Sequence, residues 1–414
     1  MNSSVTPDQS PTTADAPGAI ETPDTVETPP RFISPLLDLP GAVAAGGPDA
    51  GVAAHYGNPM IEQRHLLAGE AVVDLSNRGI LSVVGPDRLS WLNSLSSQAL
   101  LRLPVGESTE MLMLDAAGRL EFAVHVLDDG VATWLFVESS ELAGLHDWLN
   151  KMRFMLRVEV LDLTDEYAMI GTMARDLADV QLLPATSNGI PLVWNDPWGT
   201  VAPGGFQYAQ VAEHPGIHWT WSEVLIARAD LAALRDRIAD GEVAAAGLLA
   251  EEALRIAAWR PRAATEVDEK TIPHELDWLR TAVHLNKGCY RGQETVAKVH
   301  NLGHPPRRLV LLHLDGSDSV LPAHGDVVEG TRMLPGGEPE RRAVGTITSS
   351  AIHYELGPIA LAVIKRTVPA DVTLYVQSQD ISIAAAQEVI VPQSAGAEAD
   401  VPRLPRLGAR PTQH

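Results

Sequence analysis

The chain has 414 residues, 45% of them apolar, and a formal net charge of −22. That length supports two or three domains with a sizeable core, and the charge disfavours broad electrostatic binding to nucleic acid or to an anionic membrane surface. One cysteine, Cys289, rules out an intramolecular disulfide; with no bilayer-length apolar run and no basic, apolar leader, the expected location is the cytoplasm.

Residues 1–55 are rich in Pro, Thr, Ala, Gly and Asp, and Arg31 is the sole basic residue before position 59. Such a segment buries too little to fold alone, so 1–55 is expected to be a disordered tail, with Phe32 to Leu37 as an apolar island able to dock on the body. The body, 56–305, reads as α+β. Ile80 to Val84 has strand character and ends at Gly85, and Pro86 suits the first turn of a helix carrying Trp91 and a Leu89, Leu92, Leu95 stripe. Met111–Leu114, Leu120–Leu127 and Ala132–Val137 alternate around Asp115-Ala116-Ala117-Gly118 and Asp128-Asp129-Gly130, which predicts an antiparallel meander. Ser139 or Ser140 is placed to cap a helix with Leu142, Leu145, Leu149 and Met152 on one face, and Arg157 to Leu163 reads as a strand.

A second unit repeats this outline. Phe206–Val211 and Glu223–Ala227 read as strands, Asp230 as the cap of a helix with Leu231, Leu234 and Ile238, and Glu242 to Trp259 as an Ala/Leu-rich helix. Asp176 to Gly205 shows no clear period and reads as loops. From Arg308 short β-type runs follow one another with Gly and Pro between most of them, the pattern of a small barrel or sandwich over 306–393. Residues 394–414 are again Pro- and Ala-rich and are expected to be a disordered tail.

The densest chemistry lies in His284 to Gly303. Cys289 stands between Gly288 and Gly292, with Lys287, Arg291, Gln293 and Glu294 around it. A nearby cation lowers a thiol's pKa and raises its nucleophilicity, and core cysteines sit among apolar rather than polar neighbours. Three other readings of this stretch stand beside an activated thiol: a metal site of Cys289, His300 and His304, which Gly303 and Pro305 disfavour by interrupting a helix; a cysteine–histidine pair with His284 or His300; and a loop that contacts a partner. Tyr290 is either core or a stacking surface.

Lys287-Gly288-Cys289-Tyr290-Arg291-Gly292-Gln293-Glu294 resembles the K-G-C-Y-x-G-Q-E signature of the YgfZ-type folate-binding proteins, relatives of the aminomethyltransferase (T-protein) of the glycine cleavage system. Gly85-Pro86-Asp87 with Trp91-Leu92, Leu254-Arg255-Ile256 through Pro261, Ile272-Pro273-His274-Glu275, Gly345 to Ser349 and Gly357 to Ala362 resemble further family segments, in the family's order. The resemblance implies a cloverleaf of two α+β lobes plus a C-terminal all-β barrel. It implies tetrahydrofolate in a central channel, and support of iron–sulfur client or assembly proteins, including tRNA-modifying enzymes, with no direct nucleic-acid binding and no membrane partner. On that reading Cys289 is a redox-active or transfer thiol, Lys287 and Arg291 raise its thiolate fraction, and Gln293 and Glu294 hold the loop. Arg119, Arg255 and Arg291 are candidate cations for the folate tail, and Glu121 is a candidate folate contact. Asp115 either serves the hairpin or lines the channel.

The departures bear on activity. The transferase carries two aspartates after the hairpin glycine, where this chain has Glu121 and Phe122. Its second-lobe Glu falls at Ala202 to Phe206, and the Glu and Gly of its L-R-I-E-A-G segment are Ala257 and Trp259. These changes disfavour a working aminomethyl- or methyltransferase, which stays as an alternative together with a non-catalytic scaffold. Glu251-Glu252 reads as helix solvation, because adjacent helical residues point apart, and Asp128-Asp129 as turn chemistry.

Overall fold

The computed structural model describes residues 31–399, apart from 318 and 334–337. The first lobe grows from the two predicted hairpins. The Asp115 carboxylate accepts from the backbone N–H groups of Ala117 and Arg119, both at 2.8 Å, and Gly118 takes φ +79°. Asp129 does the same for Val131 and Ala132. The result is a five-stranded antiparallel sheet in the order Ser108–Leu114, Leu120–Asp128, Ala132–Val137, Gly79–Val84, Glu159–Asp162. Strand alternation sorts its side chains. Met111 and Met113 go under the helices Arg88–Leu95 and Ser139–Met152 with Trp91, Leu145 and Leu149, while Leu112, Leu114 and Phe136 face the centre of the molecule. Neither Ser139 nor Ser140 caps the second helix. Glu138 holds the cap position with no side-chain bond to the helix, and Ser139 donates to Pro48 O. Met152 leaves the apolar stripe and is exposed, and the edge strand starts at Glu159 rather than Arg157.

The second sheet has the order Val193–Asn195, Ser222–Ala227, Tyr167–Thr172, Ala71–Asp74, Ala244–Ala246, its last pair parallel. Three expectations fail here, the first being that 176–205 is loops, since it holds the edge strand Val193–Asn195. Phe206–Val211 is not a strand: the amides of Tyr208 and Ala209 donate to the Asp277 carboxylate and that of Phe206 to Leu279 O. The middle strand is instead Tyr167–Thr172, which lies on no predicted element. The single helix expected over 242–259 is divided. Ala244–Ala246 pairs with Ala71–Val73, and the helix runs from Leu248 to Ala257. Alanine's helical preference yields to a sheet edge that needs a partner. Gly247 lies at the break, where a Cβ would come within 2.3 Å of Ala54 O.

Residues 31–55, expected in the tail, are folded onto the second lobe. Leu36 is 1% exposed among Val72, Ile170, Leu231 and Leu234, and the Ser34 hydroxyl donates to Asp74. The apolar island supplies enough burial to order the segment, which composition averaged over 55 residues concealed; residues 1–30 lie outside the described residues. The third unit is a closed barrel in the order Arg307–Leu314, Gly357–Lys365, Pro339–His353, Val327–Met333, Leu374–Ser378, Ile381–Val389. Its interior is filled by Val310, Leu312, Ile347, Ile364 and Val376. Residues 394–399, also assigned to a tail, close the end of the helix Gln293–Leu302: the amides of Glu398 and Ala399 donate to His300 O and Asn301 O. Residues 400–414 lie outside the described residues. No helix among the described residues is long and apolar enough to cross a membrane.

Candidate functional site

The cysteine loop is clamped to the first hairpin by two glycines that face each other. Gly292 has φ +83° and caps the helix Gln293–Leu302, and a Cβ there would lie 2.6 Å from Asp115 O. A Cβ at Gly118 would meet Thr295 at 2.8 Å. Arg291 bridges to Glu121 at 2.7 Å across the same contact. Only Gly292 of the motif's pair needs glycine's freedom, since a Cβ at Gly288 would touch nothing. Gln293 Nε2 donates to Lys287 O at 3.3 Å and closes the loop, whereas Glu294 is exposed in the helix's first turn. Tyr290 is buried in the core, and Cys289 is exposed at the tip.

The cations that sequence placed beside the thiol are engaged elsewhere. Lys287 Nζ donates to the carbonyls of Asn93, Ser96 and Gln98 at 2.6, 2.6 and 2.7 Å. These lie at and just beyond the C-terminal end of the helix Arg88–Leu95, where carbonyls lack intrahelical partners and a cation suits the dipole. Burial lowers the Lys287 pKa to about 8. Arg291 is held by Glu121. Lys287 therefore ties the loop to the first lobe, and its ammonium is spent on that tie. Lys287 and Gly288 also form one wall of an open cleft of about 730 Å³, with Leu101, Pro104, Val201 and His284 among its other walls.

The folate-contact candidates separate. Asp115 is the hairpin's turn residue, Arg119 is exposed, and Glu121 is paired with Arg291. Phe122 packs near Trp148. Arg255 is 1% exposed and bonded to Glu252, Glu266, Thr265 and Ser349, so its guanidinium joins the helix to the barrel. His300 and His304 also face apart: the first contacts Tyr208 Oη at 3.0 Å and the second Ala395 O at 2.8 Å. Among the described residues no group of three or more His, Cys, Asp or Glu is placed to hold a metal ion.

What sequence reasoning missed is a charged core where both lobes and the segment after the helix Leu248–Ala257 meet. It surrounds a cavity of about 50 Å³ walled by Phe136, Met169, Trp219, Trp221 and Trp278 and by Arg78, His125, Glu138, Glu223, Glu251 and Arg260. Arg260 donates to Glu110 at 2.7 Å and to Asp196 at 2.9 Å. Arg262 donates to Glu138 at 2.8 Å and to Asp49 at 2.6 Å. Glu223 accepts from Arg78 at 3.2 Å and meets His125 Nδ1 at 2.8 Å, while the His125 ring stacks on Trp194. Burial opposes ionisation of Glu138 and Glu110, and the facing arginines override it, holding both below the ordinary carboxylate range. Glu251, expected in solvent, is buried, and Glu252 is half-buried. Burial, then the neighbouring Glu252, pushes Glu251 up to about 7. A usable signal existed: Glu110 and Glu223 each stand at the head of an apolar strand run, and Trp-Arg-Pro-Arg follows one residue after the helix.

No family model matches the chain. Among curated proteins it is 25% identical over 319 residues to an aminomethyltransferase of Symbiobacterium thermophilum, covering 74% of this chain and 81% of that protein. It is also 25% identical over 285 residues to a putative chloroplastic transferase of Arabidopsis thaliana, covering 64% of this chain and 60% of that protein. The solved glycine cleavage system aminomethyltransferase T of Bartonella henselae superposes with a TM-score of 0.65 at 18% identity, over 86% of this chain and 96% of that one. The cloverleaf of two α+β lobes and a closed barrel is thus the aminomethyltransferase fold. The chain is similar to aminomethyltransferases in sequence and shares their fold.

Proposed function

We propose that this protein binds tetrahydrofolate and supports the assembly or maintenance of iron–sulfur enzymes, tRNA-modifying ones among them, in the manner of the YgfZ-type proteins, with Cys289 as its working thiol. The observation that carries the proposal is an exposed Cys289 on a loop locked to the first lobe, within a fold shared with aminomethyltransferases. Such a loop presents a thiol at a defined position without burying it, which suits exchange with a partner's sulfur or with a bound group. Aminomethyl transfer is less well supported, because Asp115 serves the turn, Glu121 is neutralised by Arg291 and Phe122 brings no carboxylate.

The lining of the central cavity fits a pterin in its chemistry. Trp219, Trp221 and Trp278 offer aromatic walls, and Glu251 Oε2 and Arg78 Nε are buried without hydrogen bonds. At about 50 Å³ the cavity takes only an edge of the ring, well below the roughly 300–1,000 Å³ of ordinary ligand sites. Trp219 is also a wall of a groove of about 640 Å³ between the second lobe and the barrel, so a ligand reaching both spaces needs that side chain to shift. The folate, when bound, would supply a one-carbon carrier; this chain's part is to wall the ring and exclude water from it.

The test is an anaerobic titration with tetrahydrofolate of wild type and Cys289→Ala, paired with the activity of iron–sulfur enzymes in cells carrying either form. Saturable binding by both, with enzyme activity lost only in the variant, is the expected result. Absence of binding removes the folate half of the proposal. Full cellular function of Cys289→Ala removes the thiol half and leaves a binding scaffold.

A further inference from the structure

The charged core contains a carboxyl that the fold leaves without a partner. Glu251 is 4% exposed on the helix Leu248–Ala257, and its Oε2 is fully buried with no hydrogen bond. Native proteins satisfy nearly every buried polar atom, and an exception calls for an occupant or a role. The cations around it are committed elsewhere. Arg78 Nη1 donates to Glu223, Arg262 to Glu138, Asp49 and Glu252, and Arg255 to Glu252 and Glu266. Arg78 Nε, on the same cavity wall, is equally buried without a hydrogen bond, with Glu138 Oε2 at 3.9 Å as its nearest counter-charge. One unfilled acceptor and one unfilled donor therefore border a cavity of about 50 Å³, which at about 10–15 Å³ per water centre has room for a few atoms.

We propose that Glu251 receives the paired N–H groups of a 2-amino-4-oxo heterocycle, with Arg78 Nε donating to the ring carbonyl, and that the Glu251 carboxyl gives up a proton to solvent as the ligand binds. The inference rests on the folate reading above and names the residue that recognises the ring. The carboxylate accepts from both ligand donors only when ionised; the acid's proton leaves to the buffer and no covalent bond changes. The groups facing Glu251 set a near balance. Arg78, Arg262 and Arg255 favour its charge, and burial and Glu252 on its own helix oppose it. Glu138, Glu223, His125, Asp196 and Arg260 lie across the cavity, where the acids pair with the cations.

Calorimetry of the full chain under anaerobic conditions tests this, with tetrahydrofolate and, separately, unsubstituted pterin as probes, in two buffers of different ionisation enthalpy between pH 6 and pH 8. With Glu251 at about 7, the ionised fraction and the wild-type affinity should rise about tenfold over that range, since apparent affinity scales with the competent population. Proton release should be visible as buffer-dependent heat. Glu251→Gln should bind at least about tenfold more weakly with no buffer dependence, and an unchanged unfolding midpoint would show that it folds. Wild-type binding without proton release, or an unaltered Glu251→Gln, overturns the inference and leaves folate binding standing. Proton-linked binding of pterin but not of tetrahydrofolate upholds Glu251 and rejects the folate reading. Binding of neither probe overturns both.

Discussion

Arg260 offers the sharpest test of the charged core. It is 4% exposed, donates to Glu110 and Asp196, and lies 5.1 and 5.8 Å from the Trp198 and Trp278 ring centres. Arg260→Met keeps the apolar stem and removes the cation. Glu110 then retains Trp278 Nε1 at 3.1 Å and the Thr281 hydroxyl, and Asp196 retains Trp219 Nε1 at 2.8 Å. Two buried carboxylates with no countercharge should cost about 3–5 kcal/mol at pH 7, the range for removing one partner of a buried pair. The loss should depend on pH with a definite sign. In wild type burial opposes Glu110's charge, yet Arg260 holds its pKa below the ordinary value. Its contribution is thus present above the ordinary carboxylate range and lost as pH falls through the lowered folded value. Without Arg260, burial alone raises the Glu110 pKa, and the variant recovers by taking up a proton as pH falls from 7 to 5. The difference between wild type and variant should therefore be smaller at pH 5. Urea unfolding followed by far-ultraviolet circular dichroism measures it, because tryptophans contact the mutated site. Glu110→Gln in the Arg260→Met background should restore about 2 kcal/mol by removing one stranded charge. A loss under about 1 kcal/mol at pH 7, or one equal at both pH values, would refute the argument that this pair is a desolvated, charge-compensated unit.

Two further outcomes are expected. Lys287→Met should leave the rate of Cys289 alkylation by iodoacetamide within about threefold of wild type, because the ammonium serves three carbonyls, and should destabilise the protein by about 2 kcal/mol through those stranded acceptors. A tenfold fall in alkylation with unchanged stability would instead restore Lys287 as the activator of the thiol. Leu36→Ala should cost about 2–5 kcal/mol in urea unfolding, as for other buried leucines, since Leu36 is 1% exposed; an unmoved midpoint would mean that the N-terminal segment adds nothing to the fold.

Local chemistry was legible before the tertiary structure. Asp-Gly turns, period-two alternation and the breaks between short β runs located the first meander and the barrel, because each depends on residues within a few positions of one another. The cysteine motif was legible for the same reason, and its glycine at 292 does what a left-handed helix cap requires. The edge strand Ala244–Ala246 was not, since three alanines carry no strand signal of their own and become one only beside Ala71–Val73. Nor was the ordering of residues 31–55, which depends on a surface supplied by the second sheet and by Leu231 and Leu234 of a helix much later in the chain.

The candidate site shows the division most clearly. Sequence placed Lys287, Arg119 and Arg255 by their nearness to motifs, and the fold sent them to a carbonyl cradle, to solvent and to a buried lattice. Sequence by itself determined the first lobe's meander, the thiol-bearing loop and the all-β character of the third unit. Tertiary structure alone decided which charges are buried and against what. Arg260 and Glu110 stand 150 residues apart, and a charge in a low-dielectric interior is tolerated only where the chain returns with its opposite.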